Sequence, residues 1–511
     1  MLDNNLRIAR NSLYMSIRML VVLLVSLYST RLLLSILGIV DYGIYNVVCG
    51  FVNMFSFVNT SISVGYQRFY SAAIAKDSKL SVTNVYNISL IIQILISIIL
   101  CVLIELVGVW YIKNVMVFPP DRLNAVLIVF QTSVISLMFV VLQAPYTAII
   151  MAYEKMNYYS LISVVDILLK LIAILTLHDL LVDKLIFYGL FMLIISFLSF
   201  LAYYLFAKRS FAELKFIKYW DLKDLRTIVS FSGWNMLGMF AHMFREQGVN
   251  LILNIFFGPV VNAARSVSSQ VNSALQTLVQ NINIPVRPQV IKSYAEGNID
   301  RTIRLTYSVS KLSSILLYIF SYPILLELNT ILKLWLGDNI PAYTNYFIIL
   351  VVLTSYLSCL NSIVSGVVQA TGKMMKYQLV SSIIILSIVP LSYLLLKQVA
   401  LAIIPPLLVL ISMVILQIAS LIILKSLVEF KIKDYLKETL LPLIVIILTT
   451  FWGPLFIHCV MPDSVIRLIL VVGINISLVC ISSYLFALSL SEKNVIRQLF
   501  NTFSKYNSVK N

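Results

Sequence analysis

Fourteen apolar runs, each long enough to cross ~30 Å of hydrocarbon as a helix, follow one another along the whole chain. Backbone N–H and C=O groups inside a bilayer find no water, so only helices or closed barrels can cross it. The runs are continuous and do not alternate every second residue, which selects helices over barrel strands. An all-α polytopic membrane protein of about 14 transmembrane helices is therefore expected. The spans are 12–36, 44–72, 84–111, 123–150, 158–177, 185–206, 227–256, 263–291, 305–326, 344–370, 378–395, 401–424, 438–458 and 464–487, with 227–256 and 263–291 the most polar. Composition agrees: 12% of residues are charged, half of the roughly one quarter usual for a soluble domain. The first run lacks a small-residue cleavage site and is read as the first membrane helix, not as a signal peptide. The five cysteines are odd in number and widely spaced, with no disulfide framework or metal-ligand spacing.

Loop charge tests this segmentation, because Lys and Arg collect on the cytoplasmic side. Loops 1–11, 73–83, 151–157, 207–226, 292–304, 371–377, 425–437 and 488–511 hold 24 basic residues. The alternate loops 37–43, 112–122, 178–184, 257–262, 327–343, 396–400 and 459–463 hold 5. That asymmetry places both termini in the cytoplasm and supports an even number of helices.

Loop 207–226 is the longest between spans and falls between the sixth and seventh helices. It reads as a cytoplasmic linker, with the character of an amphipathic interfacial helix, between an N-lobe (1–206) and a C-lobe (227–426). Residues 427–511 add two further helices and a cytoplasmic tail. Two lobes of six helices share one orientation and are related by an axis along the membrane normal. Weak internal similarity agrees: Leu37-Gly38 and Phe257-Gly258 each end the first helix of a lobe, at an offset of 220, and Arg68 and Arg287 follow about 30 residues later.

Nine basic residues lie inside spans (Arg18, Arg31, Arg68, Lys170, Arg245, Arg265, Arg287, Lys311 and Arg467), with four acids (Glu105, Asp166, Glu246 and Glu438). A charge at mid-bilayer costs roughly 2.5–3.5 kcal/mol on insertion scales, so such groups face protein or a wet cavity. Arg18, Glu438 and Arg467, near span ends, are expected to snorkel to the interface. In 263–291, Arg265, Ser269, Asn272, Gln276, Gln280, Asn283 and Arg287 fall on one helical face, a polar stripe ~33 Å long. Span 44–72 carries Asn46, Asn53, Thr60 and Gln67 at seven-residue spacing, and the offset of about 220 matches Asn53 with Asn272, Thr60 with Gln280 and Gln67 with Arg287. Polar residues that glue helices together explain one such stripe. Two matched stripes with arginines favour a shared water-filled cavity.

Two smaller sets are candidates for ion coupling. Asp166 and Lys170, at i and i+4, can neutralise one another as a structural pair. His242 and Glu246 share a face beside Arg245; they suit a proton relay, or equally a static Arg245–Glu246 network. Pro285 and Pro288 flank Arg287, and a kink there would open one end of the stripe.

Segments 37–76 and 257–297, with the Leu37-Gly38 turn, Tyr42-Gly43, Arg68, and the Arg265–Arg287 helix, resemble the O-antigen and capsule flippases of the multidrug/oligosaccharidyl-lipid/polysaccharide exporter superfamily. Ser61 departs from that pattern, where relatives often have glycine, and so do the two helices beyond the common twelve. The resemblance implies two lobes around a cationic cavity that move a polyprenyl-pyrophosphate-linked oligosaccharide across the bacterial inner membrane by alternating access. It implies Arg31, Arg68, Arg265 and Arg287 as headgroup ligands; Arg245 joins them as a cavity candidate from the span charges, and Asn53, Asn272, Gln276 and Asn283 offer the amides that uncharged sugars need. It implies no catalysis, metal or cofactor beyond coupling to a proton or sodium gradient. The partners implied are membrane lipids, a glycan polymerase and assembly proteins, and no nucleic acid.

The rival within that superfamily, a multidrug or cation exporter, needs an acidic or aromatic cavity, whereas the spans carry a net +5 of the chain's +16. A membrane polymerase or ligase needs a long outward loop for its chemistry, and the longest here has 17 residues (327–343) without a catalytic cluster. A scaffold would not explain paired stripes.

Overall fold

The computed structural model describes residues 2–74, 81–153, 155–179, 182–217, 222–371, 375–488 and 493, and every regular element among them is helical. The first half comprises α1 (Leu2–Asn53), α2 (Ser56–Ile74), α3 (Val82–Asn114), α4 (Leu123–Leu142), α5 (Ala144–Ala152), α6 (Met156–Leu177), α7 (Lys184–Ser210) and α8 (Leu222–Phe257). There follow α9 (Pro259–Ala295), α10 (Ile299–Leu326), α11 (Leu328–Leu336), α12 (Thr344–Ala370), α13 (Met375–Gln398) and α14 (Ile404–Leu427). The last are α15 (Ile432–Tyr435), α16 (Leu441–Thr450), α17 (Trp452–Val460) and α18 (Val465–Ser482). Eleven segments among the described residues are long and apolar enough to cross a membrane. The chain is a multi-pass membrane protein.

The exposed faces are apolar, as lipid requires. On α3, Leu95, Ile98, Val102, Leu106 and Trp110 recur at helical spacing and are exposed, while Ile88, Ile92, Leu100 and Ile104 are buried. Because lipid tails are as apolar as leucine, helix association rests on close packing and polar contacts.

The helices form two compact units. The first holds Met1–Gln270, Trp335–Ile348 and Gln378–Ser412; the second holds Val271–Leu334, Ile349–Tyr377 and Met413–Asn511. In the first, α4 packs along α7, α1 along α6, and α2 along α8 and α5. Gly38 (φ 77°, ψ 170°) turns the chain inside α1, and Gly258 (φ 73°) turns it between α8 and α9. Both lie in conformations that a side chain disfavours. Gly43, just past the first turn, meets Pro259, just past the second, so closely that a Cβ at Gly43 would overlap the Pro259 carbonyl. The two turns noted in the sequence thus adjoin.

Two expectations need correction. Span 44–72 is not one helix: α1 ends at Asn53 and α2 begins at Ser56, with Met54 N–H donating to the Gly50 carbonyl (3.0 Å) and Phe55 N–H to that of Val52 (3.2 Å). The seven-residue stripe is therefore cut between Asn53 and Thr60. The linker is not an amphipathic helix over 211–217, which is irregular. Its backbone is taken up by side chains instead: Asn87 Nδ2 donates to the Lys215 carbonyl (3.0 Å), Ile217 N–H to Asn87 Oδ1 (2.9 Å), and Thr83 Oγ1 to the Glu213 carbonyl (2.9 Å). A buried Asn that pairs its amide with extended backbone takes over two of the backbone groups that a helical ladder would otherwise satisfy.

Loops grouped by charge also meet in space. Arg122 forks onto Asp41 (3.0 and 2.5 Å) and Asp183 (2.7 and 3.1 Å), which joins loops 37–43, 112–122 and 178–184. Glu213 and Lys215 join loop 207–226 to the start of α3, beside loop 73–83. In the second unit, Arg467 ties loop 327–343 to loop 459–463.

Candidate functional site

Three arrangements gather the charges placed inside the spans. The first lies at the α8–α9 corner. Helix α8 carries Arg245 and Glu246 side by side, and the Gly258 turn brings α9 back so that Arg265 reaches the same carboxylate. Arg245 donates to Glu246 Oε1 at 2.5 Å and Arg265 donates to Oε2 at 2.9 Å. The guanidinium-bearing side chains are 12% and 9% exposed, the carboxylate 32%, so the acid is the accessible member of the triad. Two cations on one anion leave a net positive site, and Arg245 keeps Nε and one terminal nitrogen buried without a hydrogen-bond partner. The static Arg245–Glu246 network is what the structure shows, extended by Arg265. His242 sits one turn earlier and is exposed.

The second is the α9 stripe in the second unit. The helix continues through Pro285 and Pro288. Asn272 Oδ1 accepts from Ser355 Oγ at 3.0 Å; Asn283 accepts from Ser313 Oγ at 3.1 Å and donates to Ser362 Oγ at 3.5 Å. These amides join α9 to α10 and α12, the glue role expected of a single stripe. Gln280 and Asn283 also border a small cavity of about 30 Å³, and Gln276 is half-buried. The side chains of Thr60, Arg68 and Arg287 lie outside the described residues. Arg31 and Asn53 are exposed on α1.

The third arrangement is a cavity of about 560 Å³ wholly within the first unit, lined from α1, α2, α4–α5, α6 and α7. Asp166 and Lys170 line it as an ion pair at 2.7 Å, and Ser199 donates to Asp166 at 2.6 Å. Asn59, Ser63 and Gln67 present successive turns of α2 to the same space. Their i, i+4, i+8 spacing is visible in the sequence, whereas the heptad spacing includes Gln67 alone of the three. Arg18 does not snorkel: its guanidinium lies 5.2 Å from the Tyr159 ring centroid on the cavity wall.

Nor does Arg467 snorkel. It is 5% exposed and donates to Glu327 Oε2 at 2.7 Å, while pairing with Asp463 at 2.7 Å. His458 Nδ1 lies 2.8 Å from Glu327 Oε1, and Thr330 donates to Glu327 Oε2 at 3.1 Å. Glu327, only 1% exposed, had been an ordinary loop acid in the sequence. Burial raises its pKa, but the hydrogen bonds from Arg467, His458 and Thr330 together outweigh that and hold the carboxyl below its usual range. Buried Lys311 donates to the Ala487 carbonyl at 2.7 Å, where the chain leaves α18 through a wide helical turn. Glu438, by contrast, is exposed.

No protein-family model matches the chain, and no curated protein matches it. Solved structures do. An inward-facing multidrug resistance MATE family transporter of the MOP superfamily superposes with a TM-score of 0.66 at 13% identity, covering 79% of this chain and 95% of its own. The lipid II flippase MurJ, in an inward closed conformation, gives 0.64 at 15% identity and covers 93% of this chain and 98% of its own. An outward-facing MATE family transporter gives 0.51 at 15% identity, covering 82% and 95%. The chain shares the fold of these proteins. The proteins that share it here are transporters and a flippase, not enzymes.

Proposed function

We propose that this protein is a flippase of the bacterial cytoplasmic membrane for a polyprenyl-pyrophosphate-linked oligosaccharide destined for O-antigen, capsule or exopolysaccharide. Lobes 1–206 and 227–426 alternate access between the leaflets, and both termini are cytoplasmic. The carrying observation is the triad at the α8–α9 corner: two nearly buried arginines share one accessible carboxylate. Guanidinium forks match phosphate oxygens, and in a low-dielectric site a dianionic headgroup competes well for them. Glu246 acts as the internal counter-ion that holds both forks in place until pyrophosphate takes over. His242 and Glu246 are then the groups through which a proton gradient would reset the site. The MurJ match supports this reading through its wide coverage of the chain.

A cationic-drug exporter is the second member of the fold class, but the charges argue against it. Asp166 is already neutralised by Lys170, and Glu246 is outnumbered by arginines.

Export of lipid-linked glycan tests the proposal. Arg265→Ala, inserted at wild-type levels, should cut export at least tenfold, because hydrogen bonds to charged groups contribute about 1.5–3 kcal/mol each. Full export by both Arg245→Ala and Arg265→Ala would overturn the assignment.

A further inference from the structure

The cavity of the first unit is not explained by a headgroup site at the α8–α9 corner. Its volume, about 560 Å³, lies within the roughly 300–1,000 Å³ of small-molecule pockets. Its wall carries many polar side chains. Asn59 is held by Gln93 (2.9 Å) and the Val140 carbonyl (3.3 Å), which leaves Ser63 and Gln67 to offer a hydroxyl and an amide from α2, and Gln143 adds an amide whose Oε1 is buried without a hydrogen-bond partner. Tyr159 and Tyr203 supply flat apolar faces. Two cations and one acid line the space, and the acid is committed to Lys170 and Ser199. Among the described residues no carboxylate pairs with Arg18, whose Nε is also buried without a partner. Donors, acceptors, aromatic faces and a guanidinium that meets an aromatic ring but no carboxylate are the complement of a pyranose that carries a carboxylate.

We propose that this cavity is a saccharide subsite that takes an acidic sugar residue of the transported glycan, with Arg18 as the carboxylate ligand and Ser63, Gln67 and Gln143 as the hydroxyl ligands. The inference rests on the flippase reading and deepens it, since it assigns the glycan a uronic-acid-type unit and gives it a place distinct from the pyrophosphate. A cation site fits the same space poorly. Asp166, the one acid on the wall, meets an ammonium at 2.7 Å, and a cation would have to displace it. The hydroxyl ligands stand on α2 and, as Gln143, between α4 and α5, and the carboxylate ligand stands on α1, so both features are needed before a sugar is held in a single orientation.

Binding to the purified full-length protein in lipid nanodiscs tests this by calorimetry, with trigalacturonic acid as the acidic probe and maltotriose as the neutral one. The wild type should prefer the acidic probe by about tenfold, the scale of one charge-assisted hydrogen bond. Arg18→Gln should erase that preference and leave maltotriose binding unchanged, whereas Gln67→Ala should weaken both sugars. Equal affinity for the two probes in the wild type, or a preference that survives Arg18→Gln, would overturn the proposal, as would failure of either sugar to bind. Farnesyl pyrophosphate in the same assay separates the two readings. If it binds and loses affinity in Arg265→Ala while no sugar binds, the saccharide subsite fails and the flippase reading stands.

Discussion

Glu327 shows how a single carboxylate can tie several helix ends of a membrane protein together. It ends α10 and is reached by Arg467 from α18, His458 from α17 and Thr330 from α11. Removing one partner of a buried ion pair strands the other and costs about 3–5 kcal/mol. Glu327→Ala should therefore lower the unfolding temperature in detergent far more than Glu438→Ala, whose side chain is exposed. The acid limb of the stability curve follows from the sign of the shift. A carboxyl held below its unfolded pKa adds stability at pH values above that unfolded value, ~4.5, and loses it as the pH falls through the folded one. Glu327→Gln should flatten that loss below about pH 4.5. An unchanged acid limb in thermal melts from pH 6 to pH 3 would remove Glu327 from the account.

At the scale of elements, the glycine turns set where α1 bends and where α9 begins. Gly38 combines φ 77° with ψ 170°, a region populated almost only by glycine, and no atom lies within 4 Å of its would-be Cβ. The cost of Gly38→Ala is therefore backbone strain alone, about 1–3 kcal/mol. Gly473, inside α18 and also facing open space, gives the opposite sign: Gly473→Ala should stabilise by roughly 0.5–1 kcal/mol through helix propensity. Equal melting temperatures for the two variants would refute this account. Helical elements were legible in the sequence because length and apolar continuity set them locally, and even the two turns showed as Leu-Gly and Phe-Gly. The Asp166–Lys170 pair was legible for the same reason, as an i,i+4 neighbour. Arg265 meeting Glu246 across the Gly258 turn was not, nor was Glu327 meeting Arg467, 140 residues away. Such pairings depend on how helices cross, which helical periodicity does not encode. The sequence stripe on α9 likewise showed which side chains share a face, but not that Asn272 and Asn283 spend their amides on neighbouring helices.

For the whole molecule the decisive quantity is the sidedness of the loops. The arginine fork on Asp41 and Asp183 collects three loops of the poorly basic set, and Glu327 with Arg467 and Asp463 collects two more. The strongly basic set pairs likewise: Glu213 and Lys215 of the linker meet the α3 terminus, and Tyr307, three residues past loop 292–304, donates to the Lys431 carbonyl in loop 425–437. Loops of one charge class thus adjoin one another within each unit, which is what an even, alternating passage through the bilayer produces. Cys459, an exposed free thiol, belongs to the poorly basic class, and Ser210, where α7 ends, belongs to the basic one. In a variant that keeps Cys459 as its single cysteine, a membrane-impermeant maleimide should label intact spheroplasts. A variant with Ser210→Cys as the single cysteine should label only after the membrane is opened. Labelling of both from outside would break the alternation, and with it the outward direction of export assigned to the α8–α9 site. Reversed labelling would keep the alternation but turn the transporter around, leaving the pyrophosphate to enter from the outer leaflet.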